Sequence, residues 1–544
     1  FLRSYLYNYA MKEKGIDFSV KPKTKETPSA FSNRLGVYYA SKVSNSHKKE
    51  NGQFFTPLEI AEFMASYSNI ENECIRILDP GCGIGILSVT LIEKIVKTQK
   101  HIEKIELVAF ETDINIIPYA EICFDYLRVW VKEKNVELSV FLCTNDFILH
   151  NSFLLNSSDN AIETYDIVIS NPPYFKLPKD DIRVSAAKAV IFGQTNIYSI
   201  FLLIAAKLLK ENGLLIFITP RSFCSGNYFR LFREIFFSLV DIKEIHLFHS
   251  RGKAFKKDKV LQENLIIKAQ KHSHVKSANE KELVISNSSG ISDIGVRQTK
   301  KHIYSSLIDF NSYQKILHLP ISEIDEHIIA IFKSWTGSLK LYDLEISTGP
   351  VVDFRSIEII KNKRSINTVP LIWLHNVESM NINWPMKNNF RGKIKGQHII
   401  LAENSLTRLV KNRNYVLVRR FSTKDDTRRL VAAPYFSKNN PSVKMIGIEN
   451  HLNYIYSKRI ELTNAQIIGL AAILNSRLFD LYFRTFNGYI NVSATELRDF
   501  PLPSFDLIQL LGQKIIKFKS KYDIDSLVFE IFKLKIDLAK NYEH

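Results

Sequence analysis

Along residues 51–275, short apolar runs alternate with longer runs whose apolar positions recur at helical spacing. Residues 75–78 predict a strand, followed by a glycine-rich turn and a helical run over 86–96. Residues 105–110 form the next predicted strand, ending at Glu111, and 116–131 are helical. Further strands are expected at 139–143 and 166–169. A helix over 197–209 stops at Asn212-Gly213, and a strand over 214–219 stops at Pro220. A helix at 228–240 and strands at 242–247 and 264–269 complete the series. This alternation predicts a doubly wound, Rossmann-like α/β sheet whose ligand lies at the carboxyl ends of its strands.

The rhythm breaks on either side. Residues 1–50 are mixed and polar, with basic stretches KPKTKETP and SHKKENG, and read as a helical lead-in and link. Residues 276–300 are polar, short of large apolar side chains, and read as a linker. Residues 301–544 carry shorter segments without βα alternation and read as a second, mixed α/β domain with a helical tail after Pro503.

Composition narrows the function classes. The 544 residues include 73 Lys+Arg against 56 Asp+Glu, a net charge of +17. Apolar residues at 45% and charged residues at 24% exclude a wholly disordered or fibrous chain. The positive excess points to a polyanionic partner. No apolar run approaches the ~18–20 residues of a membrane span; the best, 200–209, is broken by Lys207. The opening residues lack a secretory cleavage pattern, and because the first residue is Phe1 a missing natural beginning is expected. Five unclustered cysteines without a CxxC pair argue against a disulfide framework and against a zinc site, so no metal is expected. A soluble, cytoplasmic protein is the resulting expectation.

Four constellations carry chemistry. In Ile77-Leu78-Asp79-Pro80-Gly81-Cys82-Gly83-Ile84-Gly85 an apolar strand runs into alternate glycines and then a helix. Glycine suits a sharp turn or a close backbone approach to a ligand. Asp79 is placed to accept from a ligand ammonium; the alternative is a plain strand–helix turn with Asp79 as its cap. Glu111, at the end of the next strand, is placed to accept from both hydroxyls of a ribose. Asp113 is its fallback. In Asn145-Asp146-Phe147, Asp146 suits an adenine amine and Phe147 the ring face, against a helix-capping Asp beside a core Phe. The fourth is Asn171-Pro172-Pro173-Tyr174, at the end of an apolar strand. The prolines remove two donors and leave their carbonyls as acceptors. The Asn171 side-chain oxygen and the Pro172 carbonyl can both accept from one planar –NH₂ group. Two acceptors pull that nitrogen toward tetrahedral geometry and expose its lone pair, with no strong base needed. Tyr174 offers a flat face for an aromatic ring.

In their order and spacing, ILDPGCGIG, Glu111, NDF and NPPY resemble the S-adenosylmethionine-dependent N6-adenine DNA methyltransferases. Gly52-Gln53-Phe54-Phe55-Thr56-Pro57 ahead of Asp79, and a basic region after residue 275, resemble the gamma arrangement typified by the Taq modification enzyme. The resemblance implies S-adenosylmethionine as cofactor. Thr56 would contact its carboxylate, and Asp79 with Gly81, Cys82, Gly83 and Gly85 would hold its methionine portion. Glu111 would bind its ribose, and Asp146 and Phe147 its adenine. Asn171 and Pro172 would activate the target amine, Tyr174 would stack on a flipped-out adenine, and Phe255 would close its other edge. It also implies double-stranded DNA as partner, pairing with a cognate restriction endonuclease, and action as a monomer.

Between Arg391 and Arg429 stand eleven Lys/Arg and three acids. Arg408, Lys411, Arg413, Arg419, Arg420, Arg428 and Arg429 are candidate DNA contacts, with phosphate contacts or solvated surface as the alternative. Tyr415 and Tyr435 are expected in the core, and His246 and His249 at strand edges. NPPY also suits ribosomal RNA bases and protein glutamine, which present the same planar amine. A fused nuclease and a non-catalytic DNA-binding module are the remaining alternatives, and no PD…(D/E)xK cluster supports the former.

Overall fold

The computed structural model describes residues 21–44, 46–47, 52, 55–156, 164–193, 196–248, 264–272, 281–386, 396–422, 426–488, 491–518 and 522–534. The chain divides into two compact units between Leu317 and His318.

The first unit is built on a nine-stranded sheet. Its strands are β1 (Cys74–Pro80), β2 (Lys104–Phe110), β3 (Glu137–Cys143), β4 (Tyr165–Ser170), β5 (Leu209–Pro220), β6 (Val240–Phe248), β7 (Asn264–Lys271), β8 (Glu282–Ser288) and β9 (Gln298–Ile303). They lie in the order β3-β2-β1-β4-β5-β7-β6-β8-β9. Strands β1 to β5 run parallel, and β7 is inserted antiparallel between β5 and β6. The order reverses between β1 and β4, so the ends of these neighbours flank the crevice where a doubly wound sheet holds its ligand.

Helices α1 (Pro28–Lys42), α2 (Leu58–Ala65), α3 (Ile86–Thr98) and α4 (Ile117–Lys132) contribute to one continuous core. Phe31, Ile60, Leu91 and Phe124 from these helices meet Ile77, Ile105, Ile167, Ile169, Ile216 and Ile218 from the sheet. Each fully buried side chain of this size contributes roughly 1.5–3 kcal/mol. Helix α5 (Phe147–His150) follows β3, α6 (Ile197–Leu208) precedes β5, and α7 (Arg230–Leu239) packs on α6. Helix α6 is buried almost all round, which explains why it resembled the longest apolar run.

Two expectations need correction. Of the expected linker 276–300, residues 281–300 are described and are not a linker: β8 pairs parallel with β6, and β9 closes the sheet antiparallel to β8. Their polarity misled because β9 is an edge strand with exposed Lys300 and Lys301, the composition that protects a sheet edge from further pairing. His246 is not at an edge either. It is fully buried on β6, with Nδ1 and Nε2 each 3.0 Å from the hydroxyls of Ser286 and Ser288 on β8. His249 lies outside the described residues.

The second unit holds a four-stranded antiparallel sheet of Leu344–Thr348, Leu452–Ser457, Tyr415–Arg419 and Ala432–Tyr435. A five-stranded mixed sheet joins Ile360–Lys361, His398–Ile400, Thr368–Ile372, Met445–Ile448 and Val410–Lys411. Helices Glu323–Ser334, Asn464–Asn475, Arg477–Arg484, Phe505–Phe518 and Ile524–Ile531 accompany them. Tyr415 and Tyr435 are buried between the strands, as their pattern predicts. No helix among the described residues is long and apolar enough to cross a membrane.

Candidate active site

The carboxyl ends of β1 and β4 meet directly. The Ser170 hydroxyl, buried at the last position of β4, donates to the Pro80 carbonyl at the end of β1 over 2.6 Å. This tie brings the glycine-rich turn and Asn171-Pro172-Pro173-Tyr174 side by side, although some ninety residues separate them in the chain.

The glycine-rich turn folds around the end of β2. The amides of Gly81 and Cys82 both donate to the Phe110 carbonyl at 2.9 Å. Gly81, Gly83 and Gly85 all have positive φ, and a Cβ on Gly85 would lie 2.6 Å from the Phe124 ring. Only glycine allows the loop to pass this close before entering α3.

Two carboxylates face this turn. Glu111 accepts from the amide of Gly83 at 3.0 Å through Oε2, and from Thr112 and Asp113 at 2.8 and 2.9 Å through Oε1. Burial nevertheless holds its pKa above the ordinary carboxylate range, the three amides opposing the rise. Asp79 is fully buried, and among the described residues neither of its carboxylate oxygens has a hydrogen-bond partner. Burial pushes its pKa up to about 7; Ser88, outside hydrogen-bonding geometry, softens the rise, and the Glu111 charge adds to it. An orphaned buried carboxylate is costly unless a cation partners it. The ammonium of an amino-acid group is such a partner, so this donor set fits the methionine portion of S-adenosylmethionine.

Asp146 and Phe147 behave differently. Asp146 caps α5, accepting from the Leu149 amide at 3.0 Å, and its other oxygen lies 3.6 Å from Arg183. Phe147 is buried, with its ring 5.2 Å from Phe110 and 5.0 Å from Phe201. The capping-Asp and core-Phe alternative therefore describes what these side chains do locally. Asp113 is buried and engaged, accepting from the Asn115 amide at 3.0 Å, with His47 Nε2 at 2.6 Å and the Tyr39 hydroxyl at 3.2 Å.

At the end of β4, Asn171 donates from Nδ2 to the Thr56 hydroxyl at 3.0 Å. The Tyr174 hydroxyl donates to Asn171 Oδ1 and lies 2.9 Å from the Ile218 carbonyl. The Tyr174 ring is only 8% exposed and meets Tyr198 edge-on, so it is not the open flat face expected from the sequence. Burial raises its hydroxyl pKa well above the usual phenol value and keeps it a donor. Phe255 lies outside the described residues.

A family profile described as the Eco57I restriction-modification methylase matches residues 86–255. The type II methyltransferase M.BsuBI of Bacillus subtilis is 32% identical over 478 residues, spanning 87% of this chain and 91% of that protein. The chain belongs to the type II methyltransferases. The type II methyltransferase M.PstI of Providencia stuartii is 29% identical over 479 residues, spanning 87% and 91% of the two chains. The solved type IIG restriction endonuclease BpuSI is 13% identical with a TM-score of 0.44, covering 93% of this chain and 66% of that one. As a type II methyltransferase the protein belongs to a restriction-modification system, acts on DNA and uses S-adenosylmethionine.

Several residues of this methyltransferase were not legible in the sequence. Arg183 is ion-paired to Asp181 at 2.6 Å, lies near Asp146, and stacks 5.8 Å over Phe175, the residue after Tyr174. Ser170 and His47 carried no motif signal either; only the folded contacts reveal them.

The candidate DNA contacts of the methyltransferase divide. Arg429 is 1% exposed, donates to Ser422 and Asn487 at 3.0 Å each, and lies 5.4 Å over Phe483. Arg428 is paired with Asp525 at 2.7 Å. Arg413 donates to the Ser457 carbonyl at 2.8 Å and covers Tyr456 at 4.5 Å, and Arg419 donates to the Val377 carbonyl at 2.6 Å. Arg429 is thus a correction: its guanidinium is consumed inside the unit. Arg420 donates to the Asn450 carbonyl at 3.0 Å and Arg408 to the Arg355 carbonyl at 2.6 Å; both remain half-exposed, and Lys411 is exposed.

Proposed function

We propose that this enzyme methylates the N6 amine of an adenine flipped out of a specific DNA duplex site, protecting that site from a cognate restriction endonuclease. We assign it to the gamma arrangement, with Thr56 ahead of the glycine-rich turn and the basic second unit as the recognition region. The single observation that carries the reading is the Asn171 amide, tied through Nδ2 to Thr56 just after Ser170, whose hydroxyl joins the end of β4 to Pro80 at the end of β1.

Bound S-adenosylmethionine supplies an electrophilic methyl group on a sulfonium. Asp79 would hold the ammonium of its methionine portion, Thr56 its carboxylate and Glu111 its ribose. Asp146 and Phe147 would face its adenine. Asn171 Oδ1 and the Pro172 carbonyl would accept from the target amine and localise its lone pair for attack on that methyl group, the thioether product leaving and the surplus N–H proton passing to solvent. Positioning then supplies most of the rate, without a titrating base.

Flipping the adenine costs a few kcal/mol. Stacking on Tyr174 returns about 1–3 kcal/mol, by analogy with single-strand binders. The Tyr174 hydroxyl has the Ile218 carbonyl 2.9 Å away as an alternative acceptor, so it can release Asn171 Oδ1 to the incoming amine. Phe255 is proposed for the opposite face of the base.

The test is transfer of tritium from labelled S-adenosylmethionine to unmethylated duplex DNA, ribosomal RNA and a release factor, with nucleoside digestion of any labelled nucleic acid. Label as N6-methyladenine in DNA, lost in Asn171→Ala, is the expected result. Label at cytosine N4, or in RNA or protein alone, sinks the adenine assignment.

A further inference from the structure

We infer that the Thr56 hydroxyl orients the Asn171 amide, and so decides which end of it meets the target amine. This inference rests on the reading of Asn171 as the amine acceptor. An asparagine amide has one accepting end and one donating end of nearly equal shape. Turned one way, Oδ1 faces the substrate nitrogen and accepts from it. Turned the other way, Nδ2 faces that nitrogen, and two N–H groups oppose each other. Packing alone discriminates poorly between these two states; hydrogen bonds must do it.

The structure supplies a bond at each end. Thr56 Oγ1 accepts from Nδ2 at 3.0 Å, across 115 residues of sequence. Thr56 is itself held: it is 6% exposed and sits immediately before Pro57, which caps the start of α2. At the far end, the Tyr174 hydroxyl donates to Oδ1. Donor meets acceptor at both ends in this orientation. The turned amide is satisfied only if Thr56 gives its hydrogen to Oδ1 and Tyr174 gives its own to the Ile218 carbonyl 2.9 Å away, so whatever commits the Thr56 hydrogen elsewhere fixes the amide.

A hydroxyl that accepts one hydrogen bond retains its own hydrogen. Among the described residues nothing accepts the Thr56 hydrogen. A cofactor carboxylate in that direction would accept it, giving a chain from carboxylate through Thr56 to Asn171. Such chains polarise each member, so the Thr56 oxygen becomes a better acceptor for Nδ2 when the cofactor is in place. Thr56 would then serve as a cofactor contact and as a positioning residue for the acceptor amide, and the amide would be held most firmly when a methyl donor is bound.

The test compares Thr56→Val, which keeps the shape and removes both hydrogen-bonding functions, with Thr56→Ser, which keeps the hydroxyl. The readouts are the single-turnover methylation rate at saturating S-adenosylmethionine and duplex DNA, and the cofactor Kd by calorimetry. Thr56→Val is expected to lower the saturated rate roughly 10- to 100-fold, the scale of a misoriented reacting group. Thr56→Ser is expected to recover most of that loss. Melting temperatures of both variants close to wild type show that the site is folded. An unchanged saturated rate in Thr56→Val, with only the cofactor Kd raised, overturns the inference and leaves a cofactor contact. A Thr56→Ser rate as low as that of Thr56→Val overturns it in favour of packing by the methyl group. Retention of the wild-type rate in Asn171→Ala instead overturns the underlying reading of Asn171, whatever Thr56 does.

Discussion

The Tyr174 hydroxyl donates to Oδ1 of Asn171, the oxygen through which Asn171 would hold the substrate amine. Both residues were legible from one tetrapeptide, but their mutual engagement was not. If the amine donates to the same oxygen, the hydroxyl stands where its N–H would, and binding the base becomes an exchange of donors on Oδ1. An exchange costs less than breaking a buried hydrogen bond without replacement.

That relationship separates two substitutions. Tyr174→Phe keeps the ring and removes the hydroxyl, leaving Asn171 Oδ1 short of a donor. It is expected to lower stability by about 1 kcal/mol while retaining most methyl transfer. Tyr174→Ala removes the stacking face and should weaken binding of target DNA by about 1–3 kcal/mol. Thermal melts with DNA titrations distinguish them, and equal loss of DNA affinity in both variants would contradict the stacking role.

Asn171→Ala would remove the acceptor proposed for the reacting nitrogen. Its single-turnover rate is expected to fall about 10²- to 10³-fold, the usual scale for loss of one such group. Cofactor binding should change little, which calorimetry checks.

With Asp79 as the ammonium partner, cofactor binding is expected to depend on pH. Its pKa is pushed up to about 7 by burial, so below that pH the carboxyl is protonated and cannot pair with an ammonium. Affinity for S-adenosylmethionine is expected to rise as pH increases through about 7, with a proton released on binding at pH 6 and little release above pH 8. For the free protein the opposite trend is expected. A folded-state pKa raised above the ordinary aspartate value stabilises the fold below that ordinary value, and the contribution is lost as pH climbs to about 7. Calorimetry in buffers of different ionisation enthalpy measures the proton; Asp79→Asn should abolish its uptake and release. A pH-independent affinity in the wild type would count against the assignment.

The second unit offers a contrast between cations. Arg429 is consumed by Ser422, Asn487 and Phe483, so Arg429→Ala is expected to destabilise the fold by roughly 2–4 kcal/mol. Exposed Lys411 should leave stability unchanged, and Lys411→Ala should reduce the dependence of DNA affinity on salt by about one phosphate contact. Melting curves and salt titrations of both variants check this; the reverse pattern would be decisive against it.

Within residues 51–275 the sequence by itself determined the alternating elements and the strand ends that carry Asp79, Glu111, Asn171 and Tyr174. Those signals are local: apolar period, glycine at turns that need positive φ, and proline where a strand must stop. It did not show β8 and β9: the edge strand β9 is polar and charged and so looks like a linker, and β8, enclosed between β6 and β9, is a short run within the same polar stretch. Nor did it separate Arg429 from Lys411, since one guanidinium is buried by partners distant in the chain and a basic run reads alike in both cases. The tertiary structure alone decided that Thr56 meets Asn171, that Ser170 ties β4 to β1, and that the Tyr174 ring is enclosed. Such contacts join residues that periodicity treats as independent. They exist only once the parallel strands lie side by side and bring their carboxyl ends to one place.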